Sequence, residues 1–218
     1  MIMLEKMDNF FTARVDGYDE HMKSNIEGAD VFYGYTASLL PNTEGAKVLD
    51  LGCGTGLELE EFFEVNPSAK VTGIDLTQSM LDALKAKFPG KDITLVCGSY
   101  FDETFGEDKY DAAVSVESLH HFTKEEKIPL YSKLCKALTS KGYFILTDCF
   151  TFSDEEEISL REELLKIRKE LDLPDGEFYH FDTPLTVEHE KEALLAVGFS
   201  SVDVLKNWDK TYTLRANK

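Results

Sequence analysis

Positive charge is in short supply in this chain. Its 218 residues hold 23 Lys and Arg against 41 Asp and Glu, a formal net charge of −18. Arginine occurs four times, at Arg14, Arg161, Arg168 and Arg215, and the lysines are dispersed. Without a basic stripe to neutralise phosphates, nucleic acid is a disfavoured partner, which leaves small molecules or a basic protein. No apolar run is long enough to span a membrane. Met1 to Lys6 mix acid and base and lack an apolar signal core, so the expected location is cytoplasmic. The four cysteines, Cys53, Cys97, Cys135 and Cys149, form no C-x-x-C pair. They read as small buried residues of a reducing compartment, not as disulfides or a zinc site. Internal repeats and low-complexity linkers are absent, and the length suits one domain with a full core.

What is present concentrates at residues 47–56, Lys-Val-Leu-Asp-Leu-Gly-Cys-Gly-Thr-Gly. An apolar strand (Val48, Leu49, Leu51) runs into a glycine turn (Gly52, Gly54, Gly56), and a helix-like segment follows. Glycine has no Cβ, so a ligand can approach this backbone closely. The helix start behind it suits an anion. The dinucleotide fingerprint is G-x-G-x-x-G; here the third glycine comes one residue early and Leu57 takes its place. Asp50, at the strand end, repels phosphate and attracts an ammonium group. Val71-Thr72-Gly73-Ile74-Asp75 reads as a second strand ending in an acid placed to bind ribose hydroxyls. An amino acid joined to a ribose describes S-adenosylmethionine.

Val48 to Leu57 resembles the first motif of the class I S-adenosylmethionine-dependent methyltransferases. Asp75 stands where that family keeps its ribose-binding acid. Tyr110–Val116 resembles the family's fourth strand and Lys141–Leu146 its fifth. The resemblance covers roughly residues 46–150, with a family-like end at 186–216. It implies an α/β, Rossmann-like, doubly wound fold: a mostly parallel seven-stranded sheet with an antiparallel C-terminal strand and helices on both faces. It also implies S-adenosyl-L-methionine as cofactor, with S-adenosyl-L-homocysteine as product.

The residue pattern fills in the elements. The spacing of Met3, Met7, Phe10 and Phe11 predicts an N-terminal helix, and a second is expected at 31–40, ended by Pro41. Strands are expected at 46–51, 69–75, 92–97, 110–116, 142–149, 200–206 and 210–216. Helices are expected at 56–65, 78–87, 124–138 and 187–197. Thr77 is positioned to cap a helix, and Thr123 with Glu126 and Ser153 with Glu156 read as capping boxes. Alternating strands and helices predict a parallel sheet covered on both faces. The acid runs Glu58, Glu60, Glu61, Glu64 and Asp154–Glu157 read as solvated helix faces. A helix with Ile158, Leu160, Leu164, Leu165 and Ile167 on its apolar side should fold over the sheet's carboxyl edge. The expected organisation is one domain: a helical cap (1–44), a cofactor-binding core (45–150), a helical insertion or lid (151–185) and a C-terminal helix and hairpin (186–218).

In open α/β sheets ligands bind at the carboxyl ends of strands, which gathers Asp50 to Gly56, Asp75, Gly98 to Tyr100, Glu117, Ser118 and Asp148. By the resemblance, the backbone of Gly52, Cys53 and Gly54 receives the methionine part, Gly56 completes the cofactor-binding turn, and Asp50 meets the ammonium directly or through water. Asp75 accepts from the ribose, Leu76 and Met80 flank the adenine, and Ser99, Tyr100 and Glu117 lie beside the cofactor. Where Ser99 stands many relatives carry an acid, so this adenine contact departs from the pattern. Asp75 also reads as a helix-capping acid. Tyr18-Asp19-Glu20 resembles an element that covers the cofactor in small-molecule methyltransferases; the alternative is that Tyr18 packs helices on the sheet. His120 and His121 are candidate catalytic residues facing the acceptor, serving as a base if it must lose a proton; the alternative is packing. Sequence spacing shows no further metal ligands near them, so no metal is expected.

The expected activity is methyl transfer to a small-molecule acceptor, by a monomer or homodimer. Carboxy-S-adenosylmethionine/tRNA-modification enzymes share such a core, but need a basic residue for the added carboxylate and a basic face for tRNA. A non-catalytic S-adenosylmethionine-binding protein is the reading from another class. A nicotinamide-dependent oxidoreductase is disfavoured by Leu57 and Asp50.

Overall fold

The architecture rests on two-residue alternation in central strands that are buried on both faces. A computed structural model describes residues 4–174 and 176–218. Met1 to Met3, including the Met3 assigned to the first helix, and Asp175 lie outside the described residues. The elements run α1 (Met7–Thr12), α2 (Tyr18–Asn25), α3 (Ala29–Ser38), β1 (Lys47–Leu51), α4 (Leu57–Val65), β2 (Lys70–Asp75), α5 (Gln78–Lys87) and β3 (Asp92–Cys97). They continue with β4 (Tyr110–Val116), a 3-10 turn (Leu119–His121), α6 (Lys124–Ala137), β5 (Leu138–Cys149), α7 (Asp154–Glu170), α8 (Val187–Ala196), β6 (Ser201–Trp208) and β7 (Thr211–Asn217). One seven-stranded sheet has the order β3-β2-β1-β4-β5-β7-β6. The first five strands are parallel, and β7 runs antiparallel to both β5 and β6.

Leu49, Leu51, Ala113, Phe144 and Leu146 pack on Leu130 and Leu134 of α6 and Leu194 of α8. Their neighbours Val48, Ala112, Val114 and Ile145 pack on the other face, against Phe32 of α3, Leu59 and Phe62 of α4, and Leu84 of α5. Period-two sorting of this kind makes a strand read as continuously apolar. The same alternation sends Asp50 to the Val48 side, under α4.

Most expected elements are present at or near their expected bounds; β5 starts earlier, at Leu138, and α1 is confined to Met7–Thr12. Helix α2 was not foreseen, because Tyr-Asp-Glu-His-Met-Lys-Ser-Asn buries Met22 alone and shows no apolar period. Thr123 and Glu126 form the full capping box. At α7 the box is split: Ser153 accepts from the Glu156 N–H, while the Glu156 carboxylate takes the Phe152 N–H. Thr77 precedes α5 without a side-chain cap bond; Asp75 accepts the Thr77 N–H instead.

Several acids correct the solvated-face reading. Glu58 is 4% exposed, lying under Asp50, and Glu157 is buried where it accepts from Thr186 N–H and pairs with His189 and Arg161. On α7, Ile158 and Leu165 are exposed and Ile167 alone of the five apolar residues is buried. Cys97 is exposed and Cys149 half-buried; all four cysteines are free. The loop after α7 pairs with the chain entering α1: Met7 N–H donates to Phe178 O and His180 N–H to Glu5 O. Among the described residues no helix is long and apolar enough to cross a membrane.

Helices α6 and α8 are joined by an ion pair with no solvent access. Lys127 Nζ lies 2.6 Å from Glu190 Oε2, and the Tyr131 hydroxyl donates to Glu190 Oε1. Removing one partner of such a pair strands a buried charge, costing about 3–5 kcal/mol. Lys127→Met should therefore lower Tm by roughly 10 °C in a thermal melt, while Lys127→Met with Glu190→Leu should recover most of the loss. Equal melting of the single and double variants would mean the pair is not what joins these helices.

Candidate active site

The turn leaving β1 needs glycine for two reasons. Gly52 has φ +73, in the left-handed region, and a Cβ there would collide with the Ser118 hydroxyl. Gly54, at φ +47, leaves open space toward Tyr18, whose ring would be 3.9 Å from an added Cβ. The N–H groups of Gly52 and Cys53 both donate to Ile74 O, and that of Gly54 to Asp75 Oδ2 at 2.9 Å. These three donors are thus used inside the protein, and the turn meets a ligand through the bare faces of Gly52 and Gly54.

A cleft opens over this turn. Its wall includes Tyr18, Gly52, Gly54, Asp75, Leu76, Met80, Ser99, Tyr100, Glu117 and His121 of the expected residues. It also includes Met7, Phe11, Phe101, Ser118, Phe122 and Phe178. Asp50, Cys53 and Gly56 are not on this wall. Gly56 backs onto Phe88 and Leu84, and the Cys53 Sγ lies over Gly73 of β2. Asp50 is 1% exposed, because β1 alternation turns it beneath α4. Burial pushes its carboxyl well above the usual range, and the facing Glu58 pushes it further; burial likewise raises Glu58. Both Asp50 oxygens lack a hydrogen-bond partner.

Asp75 unites its two readings. Oδ1 accepts the Thr77 N–H at the start of α5 and Oδ2 the Gly54 N–H, yet the carboxylate still lines the cleft. Two such bonds leave acceptor capacity for two ribose hydroxyls. Ser99 Oγ accepts from Phe101 N–H, and the Tyr100 hydroxyl sits 3.3 Å from Ser118 O and Oγ. Phe101, Phe122 and Phe178 close one side as an aromatic trio with centroid separations of 4.7, 5.5 and 5.4 Å.

A second cavity of about 700 Å³ adjoins the cleft. Phe11, Tyr18, Glu117 and His121 lie on both walls, so the two spaces share one partition. His120, Cys149, His180, Asp182, Thr211 and Arg14 also line the second cavity. Glu117 follows β4 with φ +48, a strained conformation for a residue other than glycine. Its Oε1 accepts from the Thr211 hydroxyl at 3.1 Å. Burial raises the Glu117 carboxyl to about 7, with Asp148 adding to the rise.

His120 Nδ1 lies 2.5 Å from Asp148 Oδ1, and Asp148 is itself held by the Leu119 and Cys149 N–H groups. Burial opposes charge on His120, but Asp148 overcomes it and raises the imidazole well above its ordinary value. His121 is lowered to about 4, by burial first and then by the charge on His120. Asp182 is held below the usual carboxylate range against its partial burial, by hydrogen bonds from His120 and His121. His180 stacks on Phe10 with centroids 3.5 Å apart. Asp182 was not foreseen. It sits far along the chain from the histidines, and a lone Asp before Thr-Pro carries no local signal. The fold thus supplies carboxylates beside His120 and His121 that sequence spacing did not show.

An S-adenosyl group fits these residues: a paired acid at the ribose position, bare glycine faces, an aromatic wall, and the orphaned oxygens of Asp50 behind the turn, which suit a nearby cation. The comparisons agree. Residues 48–142 match the methyltransferase domain model. A 24-methylenesterol C-methyltransferase of Arabidopsis thaliana is 27% identical over 142 residues, covering 62% of this chain and 39% of that enzyme. A carboxy-S-adenosyl-L-methionine synthase of Campylobacter fetus is 24% identical over 196 residues, covering 83% and 80%. The chain spans less than half the length of several curated relatives it matches. Among solved structures, an S-adenosylmethionine-dependent methyltransferase from Mesorhizobium loti superposes with TM-score 0.60 at 18% identity, over 84% of this chain and 96% of that one. Sheet order and domain match agree: residues 48–142 carry a methyltransferase domain, and the chain has the fold of the class I S-adenosylmethionine-dependent methyltransferases, which imply S-adenosylmethionine as cofactor.

Proposed function

We propose that this protein transfers a methyl group to a small-molecule acceptor held in the second cavity. The observation that carries the reading is the shared partition of Phe11, Tyr18, Glu117 and His121 between cofactor cleft and cavity. S-adenosylmethionine supplies a methyl group already activated on a sulfonium. The residues here have to hold the acceptor in line with it and exclude water. The segment before β1 and the loop after α7 serve as cap and lid within one domain. Phe11 and Tyr18 present aromatic faces suited to a cation, and Tyr18 covers the cofactor. Asp75 binds the ribose; Leu76, Met80, Ser99 and Tyr100 surround the adenine; Gly52 and Gly54 admit the methionine part. His120 and His121 act on the acceptor at the partition.

Against the carboxy-S-adenosylmethionine alternative, Arg14 is the one Lys or Arg on either wall among the described residues, and Glu5 already engages it. An added carboxylate has no free basic partner there. Oligomeric state does not enter this reading, since both walls come from one chain.

S-adenosylmethionine at a hundredfold its dissociation constant should add about 2.7 kcal/mol, raising Tm by roughly 5–10 °C, while NAD should leave it unchanged. A shift with NAD alone would remove the proposal. Asp75→Ala should weaken S-adenosylmethionine binding on the order of 10- to 100-fold in calorimetry, the worth of a charged hydrogen bond or two; unchanged affinity would reject the ribose role. His120→Ala and His121→Ala should each lower turnover of an identified acceptor by about 100-fold with little change in cofactor affinity. Full activity in both variants would exclude them from the chemistry.

A further inference from the structure

We propose that the acceptor cavity holds one divalent first-row metal ion, bound by His120 Nε2, His121 Nδ1 and Asp182 Oδ1. The proposal rests on the reading of this cavity as the acceptor site and says how its histidines act there. Asp182 Oδ1 lies 3.5 Å from His120 Nε2 and 3.0 Å from His121 Nδ1, and the three atoms fall within 4.8 Å of one another. Ligand atoms about 2.1 Å from a common ion, set roughly 90–110° apart, are about 3.0–3.4 Å from each other. The 3.0 Å separation falls in that range, the 3.5 Å one just outside it and the third within 4.8 Å, so small side-chain shifts would let one ion bridge the three groups.

The surroundings have the features of a ligating histidine pair. Asp148 Oδ1 takes the Nδ1 side of His120 at 2.5 Å, so Nε2, which faces Asp182, is the ring atom a metal ion would take by displacing its proton. Asp148 is in turn fixed by the backbone N–H groups of Leu119 and Cys149. A carboxylate behind the imidazole of a metal ligand orients the ring in just this way. Both histidines are buried, with ring centroids 4.0 Å apart. Three carboxyl groups (Glu117, Asp148, Asp182) surround the two rings, and among the described residues no Lys or Arg hydrogen-bonds to any of them; a dication offsets this excess. Two imidazoles and one carboxylate suit Zn, Fe, Ni or Mn better than Mg or Ca.

Three protein ligands leave coordination positions open, and the cavity of about 700 Å³ lies on that side. The chemical class of acceptor follows. A hydroxyl, or a pair of adjacent oxygens, would occupy the open positions, and coordination lowers the pKa of a bound hydroxyl. His120 and His121 then serve as ligands, Asp182 as the third, and Asp148 as the residue that positions His120.

The test uses the full chain, stripped with chelator and titrated with Co(II) alone, then with Zn(II), without cofactor or acceptor. One equivalent of Co(II) with a visible d–d spectrum, displaced by Zn(II), is the expected result. Asp182→Asn and His121→Ala should each weaken binding at least 10-fold, and Asp148→Asn by 10- to 100-fold. S-adenosylmethionine affinity, measured in parallel, should stay within about threefold in Asp182→Asn, whose side chain is absent from the cofactor cleft. That measurement separates the two readings, since S-adenosylmethionine binding without metal binding overturns the metal site alone. Absence of a one-equivalent complex, or binding that survives both Asp182→Asn and His121→Ala, would also overturn it.

Discussion

Between β1 and β4 the sheet reverses the direction in which it adds strands, and the carboxyl edge is shaped by that reversal. The helices after β1 and β2 cover one face, and α6 and α8 cover the other. Connections diverge at this point, so among the described residues no crossover helix fills the gap between the two strand ends. The turn after β1 and the turn after β4 press together there, so closely that Gly52 and Ser118 tolerate no Cβ between them. Asp75 enters from β2, Asp148 from β5, and Glu117 with the two histidines from the end of β4. The acids and histidines proposed to act arrive at a strand terminus, on the turn after it, or on the loop that pairs with the N-terminal segment; Phe11, Tyr18 and Met80 come from helices α1, α2 and α5.

A chain this acidic also uses acids internally, and their partners decide what each does. Glu190 has Lys127 and Tyr131; Glu157 has Arg161, His189 and a backbone donor; Asp148 has His120 and two N–H groups. A buried carboxylate so supplied is tolerated and rigid. Asp50 and Glu58 form the exception. They face each other with both Asp50 oxygens and Glu58 Oε1 lacking hydrogen-bond partners; burial raises both carboxyls, and Glu58 raises Asp50 further. The turn above them is the one proposed to receive the cofactor's methionine part.

Much of this was legible in the chain. Apolar runs marked the central strands, which are buried on both faces, and alternation with turn residues marked the outer ones. Asp75 and Glu117 were legible for a related reason: each stands where a strand ends, and strand ends face the site. Other features were not. Helix α2 lacks an apolar period and owes its place to contacts with α3. Glu58 looked like part of a solvated acidic face, yet one turn of rotation sets it against Asp50.

Sequence alone therefore determined the sheet, the glycine turn and the identity of the cofactor, since these follow from periodicity and turn chemistry acting over a few residues. Tertiary structure decided the rest: that Asp50 lies behind the turn, that Asp182 meets His120 and His121, and that cleft and cavity share a wall. Those outcomes join residues far apart in the chain, and no local preference encodes which distant side chain will close the gap.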